Sequence, residues 1–220
     1  MNNCYLDAEA VITFFRMTGR KHIFITGSRG SGKSHLVNNM LKHMSDSFNL
    51  LQSHRTDTPQ VVIKSNLVAD NKEFVIGVPR TSGINPASKG NNMTIIEDGF
   101  INCAIPAIDT HLDTTPERLF VIDELGYLES SCIPFQKAVE KLLDNSHVLA
   151  VIRKQSTEFL NRIYNRKDVL VIDIDSTFET LSCIIMASGM SKRFGSNKLI
   201  TDFNGRSLFE LSLIHISEPT

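Results

Sequence analysis

The stretch from Gly27 to Ser34 constrains the fold of this chain more than any other feature of the sequence. It reads Gly-Ser-Arg-Gly-Ser-Gly-Lys-Ser and fits the phosphate-binding loop pattern G-x-x-x-x-G-K-[ST] at every required position. The apolar residues 22–26 before it predict a short buried strand, and residues 35–44 after it carry apolar side chains at helical spacing. A loop between a strand and a helix is the context in which this pattern binds a nucleotide.

The chemistry of the loop follows from its residue types. Its glycines allow backbone N–H groups to point inward, and the N-terminus of the following helix adds partial positive charge. Lys33 can reach the outer phosphates, and the hydroxyl of Ser34 can join the coordination of Mg²⁺. We therefore predict a site for a nucleoside triphosphate, formed by eight consecutive residues: Gly27, Ser28, Arg29, Gly30, Ser31, Gly32, Lys33 and Ser34.

A second chemical element is the apolar run 119–122, which is followed by Asp123 and Glu124. This pattern is typical of a buried parallel strand that places carboxylates at the C-terminal edge of a sheet. With the loop upstream, Asp123 is the predicted Mg²⁺ residue and Glu124 the predicted general base, so the catalytic set is Lys33, Asp123 and Glu124. The alternative is that both acids merely end a strand or cap the next helix.

The remaining sequence alternates between predicted strands and helices, which favours a parallel α/β sheet covered on both faces. A helix over 8–17 is expected to be capped by Asp7 and ended by Gly19. The predicted helices are 99–111, 134–144 and 157–164, and the predicted strands are 61–64, 74–78, 148–152 and 169–174.

Strands 61–64 and 74–78 are expected to form a hairpin. Helix 99–111 is predicted to be kinked by Pro106 and to pack through Ile101, Ala104, Ile105 and Ile108. Residues 45–60 and 79–92 read as loops because they are polar or rich in Gly and Pro.

Three basic residues outside the loop carry two interpretations each. Arg80 and Lys89 lie in the predicted loop 79–92 and are either phosphate-seeking groups or solvated charges. Arg153 follows a predicted strand and either touches phosphate or forms a surface salt bridge.

Composition narrows the classes of function. The chain has 220 residues and a formal net charge of −1, so no global field favours nucleic acid or an anionic membrane. The four cysteines are scattered, which favours free thiols in a reducing compartment over disulfides or a zinc site. Neither a signal peptide nor a membrane-spanning run is evident, so we expect a cytoplasmic protein without nucleic-acid or membrane partners.

Residues 27–34, 105–108 (Ile-Pro-Ala-Ile) and 121–126 (Val-Ile-Asp-Glu-Leu-Gly) together resemble the nucleoside-triphosphatase family of P-loop proteins first described from thermophiles. The similarity continues through Leu128-Glu129 and Arg153-Lys154 and spans about residues 20–177. It implies a RecA-like α/β fold and Mg²⁺-dependent hydrolysis of ATP or GTP with loose base selectivity. The match is loose over residues 66–92.

A different signature begins near residue 183, where an apolar run enters the pattern G-x-S-x-R-x-G-x-x-K. It resembles the start of a MobA-like molybdenum-cofactor nucleotidyltransferase, in which Gly189, Arg193 and Lys198 would bind a triphosphate. Only about 30 residues of such an α/β domain are present, fewer than a core requires, so no nucleotidyl transfer is expected of this chain.

The predicted organisation is therefore a P-loop domain over 1–178, an incomplete second α/β domain over 181–210, and a tail over 211–220. The tail resembles a translated sequencing adapter and is excluded from fold prediction. The leading functional prediction is a nucleoside-triphosphate hydrolase, with molybdenum-cofactor maturation proteins as candidate partners. A nucleotide-gated switch or assembly chaperone and a small-molecule kinase remain the alternatives.

Overall fold

The computed structural model describes residues 7–44, 47–80 and 93–176, together with two short paired segments at 202–203 and 206–207. The chain divides into two compact units, residues 1–177 and 178–220. In the second unit, the two-residue strands Asp202–Phe203 and Arg206–Ser207 pair antiparallel.

An eight-stranded sheet forms the centre of the first unit, with the spatial order β5-β4-β3-β2-β6-β7-β1-β8. The strands are β1 His22–Gly27, β2 Phe48–Arg55, β3 Val61–Ser65, β4 Phe74–Pro79, β5 Met93–Ile95, β6 Leu119–Leu125, β7 His147–Arg153 and β8 Val169–Asp173. Strands β2, β6, β7, β1 and β8 run parallel, whereas β3, β4 and β5 extend the sheet antiparallel. The predicted α/β fold with a mostly parallel sheet is confirmed, and so is the hairpin of β3 and β4.

The helices of the first unit are α1 Ala8–Thr18, α2 Lys33–Met44, α3 Glu97–Gly99, α4 Ile105–Thr114, α5 Ile133–Asn145 and α6 Glu158–Tyr164. They cover both faces of the sheet, because its strands alternate their side chains. In β1, Ile23 and Ile25 pack with α1 and α2, whereas Phe24 joins the larger core beneath α4, α5 and α6.

The first helix has the predicted ends. The Asp7 side chain accepts a hydrogen bond from the backbone N–H of Ala10 at 3.1 Å, which is an N-cap interaction. Gly19 ends the helix in the left-handed region, with φ of 64°. None of the described helices is both long enough and apolar enough to cross a lipid bilayer.

The prediction of a loop over 45–60 is wrong, because β2 (Phe48–Arg55) crosses this segment and pairs in parallel with β6. Many of its side chains are polar, so the segment lacks the apolar pattern that predicts a strand. Asn49 is buried in a hydrogen-bond network, while Gln52 and Ser53 interact with groups at the opposite end of the strand. Tertiary hydrogen bonds make this polar strand stable.

The predicted packing face of helix 99–111 is also partly wrong. Residues Phe100–Ala104 form a π-helical stretch between α3 and α4, immediately before Pro106, which has no N–H to donate. The extra residue per turn rotates Ile101 outward, where it is 46% exposed, and brings Phe100 into the core. Ala104 and Ile108 are buried as predicted.

Candidate active site

The cleft lies at the C-terminal edge of the parallel strands, where β1, β6 and β7 end. It has a volume of 710 Å³, and all eight residues from Gly27 to Ser34 line it. Asp123, Glu124 and Arg153 line the same cleft. The structure thus brings together the two sequence elements, which are separated by almost ninety residues in the chain.

The loop depends on glycine at particular positions. Gly30 and Gly32 have φ of 77° and 94°, values that side-chain-bearing residues rarely adopt. Gly27 has φ of 155°, and a Cβ atom there would lie 2.6 Å from Cγ1 of Ile174. Close packing against the end of β8 therefore requires glycine at the start of the loop.

Lys33 begins α2 and folds back over the loop. Its Nζ donates to the carbonyl oxygen of Ser28 at 2.7 Å and to that of Gly27 at 3.0 Å. These bonds hold the ammonium group above the loop that it belongs to, which is where an outer phosphate of a bound triphosphate would need a cation.

Asp123 is partly buried at the end of β6 and receives a hydrogen bond from Nε2 of Gln52 at 3.4 Å. Burial raises the pKa of Asp123, and the hydrogen bond from Gln52 acts in the opposite direction. Gln52 was not among the predicted site residues, because it lies on β2, whose polar sequence predicts a loop.

Glu124 forms an ion pair with Arg153, whose Nε lies 3.0 Å from Oε2 of the carboxylate. Arg153 leaves β7, the strand that lies between β6 and β1. The salt-bridge interpretation of Arg153 is therefore correct, and the bridge lies at the cleft, which keeps the guanidinium close to where phosphate would bind.

An acidic group after β8 also reaches the loop. Asp175 accepts from the backbone N–H of Ser28 at 2.6 Å and from its hydroxyl at 2.9 Å. Lys154 bridges Asp173 at 2.8 Å and Asp175 at 3.2 Å. Sequence analysis missed this contact, although acids at the end of a strand were the same signal that identified Asp123.

The other predicted residues lie elsewhere. Arg80 follows β4 and is not among the described residues that line the cleft. Lys89 and the second triphosphate set, Gly189, Arg193 and Lys198, lie outside the described residues.

The oxygen donors at the cleft suit Mg²⁺, which is commonly held by one or two protein oxygens together with substrate phosphates and water. Ser34 offers a hydroxyl and Asp123 a carboxylate on the same cleft. Among the described residues there is no cluster of three or more His, Cys, Asp or Glu side chains of the kind that holds a metal without substrate.

Comparison with known proteins agrees with this geometry. Nucleoside-triphosphatase THEP1 of Thermotoga sp. (strain RQ2) is 26% identical over 155 residues, which cover 70% of this chain and 86% of the relative. THEP1 of Thermotoga maritima is 23% identical over 154 residues, covering 70% and 86%.

Two solved structures share the fold. THEP1 from the hyperthermophile Aquifex aeolicus superposes with a TM-score of 0.56 at 17% identity, covering 73% of this chain and 93% of that one. A human cancer-related nucleoside triphosphatase has a TM-score of 0.53 at 18% identity, covering 72% and 90%. The model of the NTPase family matches residues 22–179. The chain therefore belongs to the NTPase family and is a nucleoside-triphosphatase.

Proposed function

We propose that this enzyme hydrolyses ATP or GTP in a Mg²⁺-dependent reaction within the 710 Å³ cleft. The observation that supports this proposal is the convergence of the Gly27–Ser34 loop with Asp123 and Glu124 on that one cleft. A polyphosphate would lie along the loop, whose inward-facing backbone N–H groups and helix N-terminus favour anions.

Each charged residue has a distinct task in this proposal. Lys33 would move its donors from the Gly27 and Ser28 carbonyl oxygens to an outer phosphate. Ser34 and Asp123 would hold Mg²⁺, which when bound would neutralise charge on the phosphate oxygens.

Glu124 would orient and deprotonate the attacking water. Arg153 supports this role because its ion pair with Glu124, 3.0 Å from Nε to Oε2, holds the carboxylate at the cleft where the water would lie. Nucleotide binding would also bring phosphate charge near Arg153, so the pairing of Arg153 and Glu124 would respond to the substrate.

A second cavity supports an alternative reaction, phosphoryl transfer to a small acceptor. Its volume is 450 Å³, and it shares Glu124 and Arg153 with the nucleotide cleft. An acceptor hydroxyl bound there would approach the same base from the other side. Release of free phosphate without any acceptor would favour hydrolysis. Formation of nucleoside diphosphate and a phosphorylated acceptor, without free phosphate and only when an acceptor is added, would favour the kinase.

For the C-terminal segment we propose, from sequence alone, a second triphosphate-binding element formed by Gly189, Arg193 and Lys198. This element would give a cytoplasmic NTPase a role in the maturation of the molybdenum cofactor. Phosphate-release assays with a molybdopterin nucleotidyltransferase as added partner would test this connection.

The proposal for the cleft is tested by Glu124→Gln. We expect triphosphate affinity within about threefold of wild type and a loss of turnover of about a hundredfold, because the amide is isosteric but cannot accept the proton. Lys33→Ala is the matched variant, and it should weaken binding as well. Equal loss of binding in the two variants, or normal turnover of Glu124→Gln, would contradict the assigned roles.

A further inference from the structure

A second glutamate close to the cleft has no part in the proposed chemistry. Glu129 begins a short 3₁₀ turn, Glu129–Ser131, that follows β6, and it is only 6% exposed. Its Oε2 accepts the backbone N–H of Gly126 at 3.0 Å, and its Oε1 accepts the hydroxyl of Ser53 at 3.2 Å. It lines the 450 Å³ cavity beside the cleft, and because burying a carboxylate is costly, its place there calls for a physical reason.

The hydrogen bonds of Glu129 converge on the segment that carries Glu124. Gly126 is two residues after Glu124, so the bond to its N–H fixes the backbone immediately beyond the proposed base. Ser53, from β2, lies with its Oγ 3.2 Å from Glu129 and 3.5 Å from the carbonyl oxygen of Glu124 itself. The buried carboxylate, together with Ser53, thus ties β2 to the backbone from the carbonyl group of Glu124 to the N–H of Gly126.

The same backbone supports the partner of Glu124. A Cβ atom on Gly126 would lie 2.9 Å from Cδ of Arg153, so the stem of that arginine passes directly over the glycine. Arg153 then reaches Oε2 of Glu124 at 3.0 Å. The position of the Gly126 backbone therefore determines where the guanidinium of Arg153 meets the carboxylate of Glu124. The hydrogen bond from Gly126 to Glu129 fixes that position.

We propose that Glu129 is a positioning residue that holds the turn from Glu124 to Gly126 and thereby orients the general base. This inference rests on the proposed role of Glu124 in hydrolysis. Burial raises the pKa of Glu129, and backbone hydrogen bonds, including the one from the N–H of Gly126, act in the opposite direction. A merely structural Glu129 would affect folding stability and leave turnover per folded molecule unchanged.

The test compares Glu129→Leu with Glu129→Gln. Leucine has a similar size but no acceptor, so it leaves the N–H of Gly126 unsatisfied. Glutamine can still accept from Gly126 while its amide donates to Ser53. We expect Glu129→Leu to lower kcat about tenfold with KM within about twofold, and Glu129→Gln to restore kcat to within about threefold of wild type.

A double variant separates positioning from stability. If Glu129 acts through Glu124, adding Glu129→Leu to Glu124→Gln should lower kcat no further, because the base is already lost. Ser146→Ala is the matched control: Ser146 is also a buried hydrogen-bonding side chain, but it lies at the opposite edge of the sheet, so it should lower stability without changing kcat.

The outcomes are distinguishable. Full kcat in Glu129→Leu, or an equal loss in the wild-type and Glu124→Gln backgrounds, would overturn the positioning role. Normal turnover of Glu124→Gln would overturn the proposed function instead. If Glu129→Leu does not fold, Ser53→Ala removes the link to the Glu124 carbonyl with a smaller change, and it should lower kcat about threefold with KM unchanged. Unchanged kcat in Ser53→Ala would then contradict the inference.

Discussion

Two networks of polar side chains lie at opposite edges of the same parallel sheet. One is bonded to other groups of the protein, and the other borders a cavity. At the N-terminal edge, His111 is fully buried between Asn49 at 2.7 Å from Nδ1 and Ser146 at 2.6 Å from Nε2. Asn49 also donates to Thr115, and Ser146 donates to the carbonyl oxygen of Pro116 at 2.8 Å. Each side chain of this network forms a hydrogen bond with another group of the protein.

At the C-terminal edge, the polar groups border a cavity. Within the part of the chain that the structure describes, Lys33 donates to the carbonyl oxygens of Gly27 and Ser28, and Asp123 accepts a 3.4 Å hydrogen bond from Gln52. Glu124 and Arg153 neutralise each other at the surface of the cleft. The cleft groups border space that a ligand can enter, whereas the groups around His111 are hydrogen-bonded to one another in the protein interior.

The comparison shows that a constellation of chemically active residue types does not by itself make a site. The Ser146, His111 and Asn49 side chains resemble a catalytic arrangement in composition, yet their hydrogen bonds are used internally and no described cavity borders them. The cleft residues are distinguished by access and incomplete pairing, which are the properties that catalysis requires.

Lys33→Ala should have the largest effect on function. It removes the cation nearest the proposed outer phosphates, so we expect kcat/KM for ATP hydrolysis to fall at least about a thousandfold. Phosphate release and equilibrium nucleotide binding would measure the change. Lys42→Ala, on the exposed side of the same helix, is the control and should behave as wild type. Retained activity in Lys33→Ala would place the chemistry elsewhere.

His111→Leu should break the other network. It removes both ring nitrogens and leaves Ser146 and Asn49 with unsatisfied hydrogen-bonding capacity, so the free energy of unfolding should fall by about 3 kcal/mol. Urea unfolding would measure this loss. Turnover per folded molecule should stay within about twofold of wild type, and a tenfold fall with folding intact would show that the N-terminal edge takes part in the chemistry.

Acid should weaken the N-terminal edge through His22, the first residue of β1. Burial lowers its pKa from 6.5 to about 4, although Asp168, 3.4 Å from Nε2, acts in the opposite direction. Lys21, Arg166 and His147 lower it further. The folded protein therefore keeps His22 neutral, and its Nδ1 accepts the N–H of Val148 at 3.2 Å.

Because the unfolded chain binds this proton first, stability present above pH 6.5 is lost as the pH falls towards 4. The loss from this histidine should approach about 3 kcal/mol. Urea unfolding at successive pH values would measure it, and His22→Asn should flatten the dependence while keeping an acceptor for Val148. An unchanged pH slope in His22→Asn would refute the assignment to His22.

Gly126→Ala should have the smallest effect of this series. The new methyl group would press on Cδ of Arg153 at 2.9 Å, and a flexible side chain can yield to it. We expect kcat to fall about threefold and the free energy of unfolding to change by less than about 1 kcal/mol. A wild-type kcat would show that the position of Arg153 over this turn does not matter.

The sequence was most informative where local chemistry and fold coincide. The loop from Gly27 to Ser34 and the strand that ends at Asp123 could be predicted because glycine spacing and a buried apolar run each have a local physical cause. The ends of α1 were predictable for the same reason, since Asp7 and Gly19 act on their own helix.

It was least informative on β2. This strand supplies Asn49 to one network and Gln52 and Ser53 to the other, so its polar side chains are stabilised by partners far away in the chain. Without knowledge of those partners, the alternation of its side chains between the two faces of the sheet cannot be recognised from the sequence. The contact of Asp175 with the loop is also tertiary, since it joins residues 147 positions apart. A strand whose polar side chains bond to groups at both edges of the sheet lacks the apolar alternation by which a strand is recognised in a sequence.

Hydrogen exchange with and without a nonhydrolysable ATP analogue and Mg²⁺ tests most directly whether ligand binding belongs to one edge of the sheet. We predict strong added protection of the backbone amides over residues 27–34, weaker protection over 123–126, and unchanged exchange over 111–118. Equal protection at both edges, or no change over 27–34, would contradict this account.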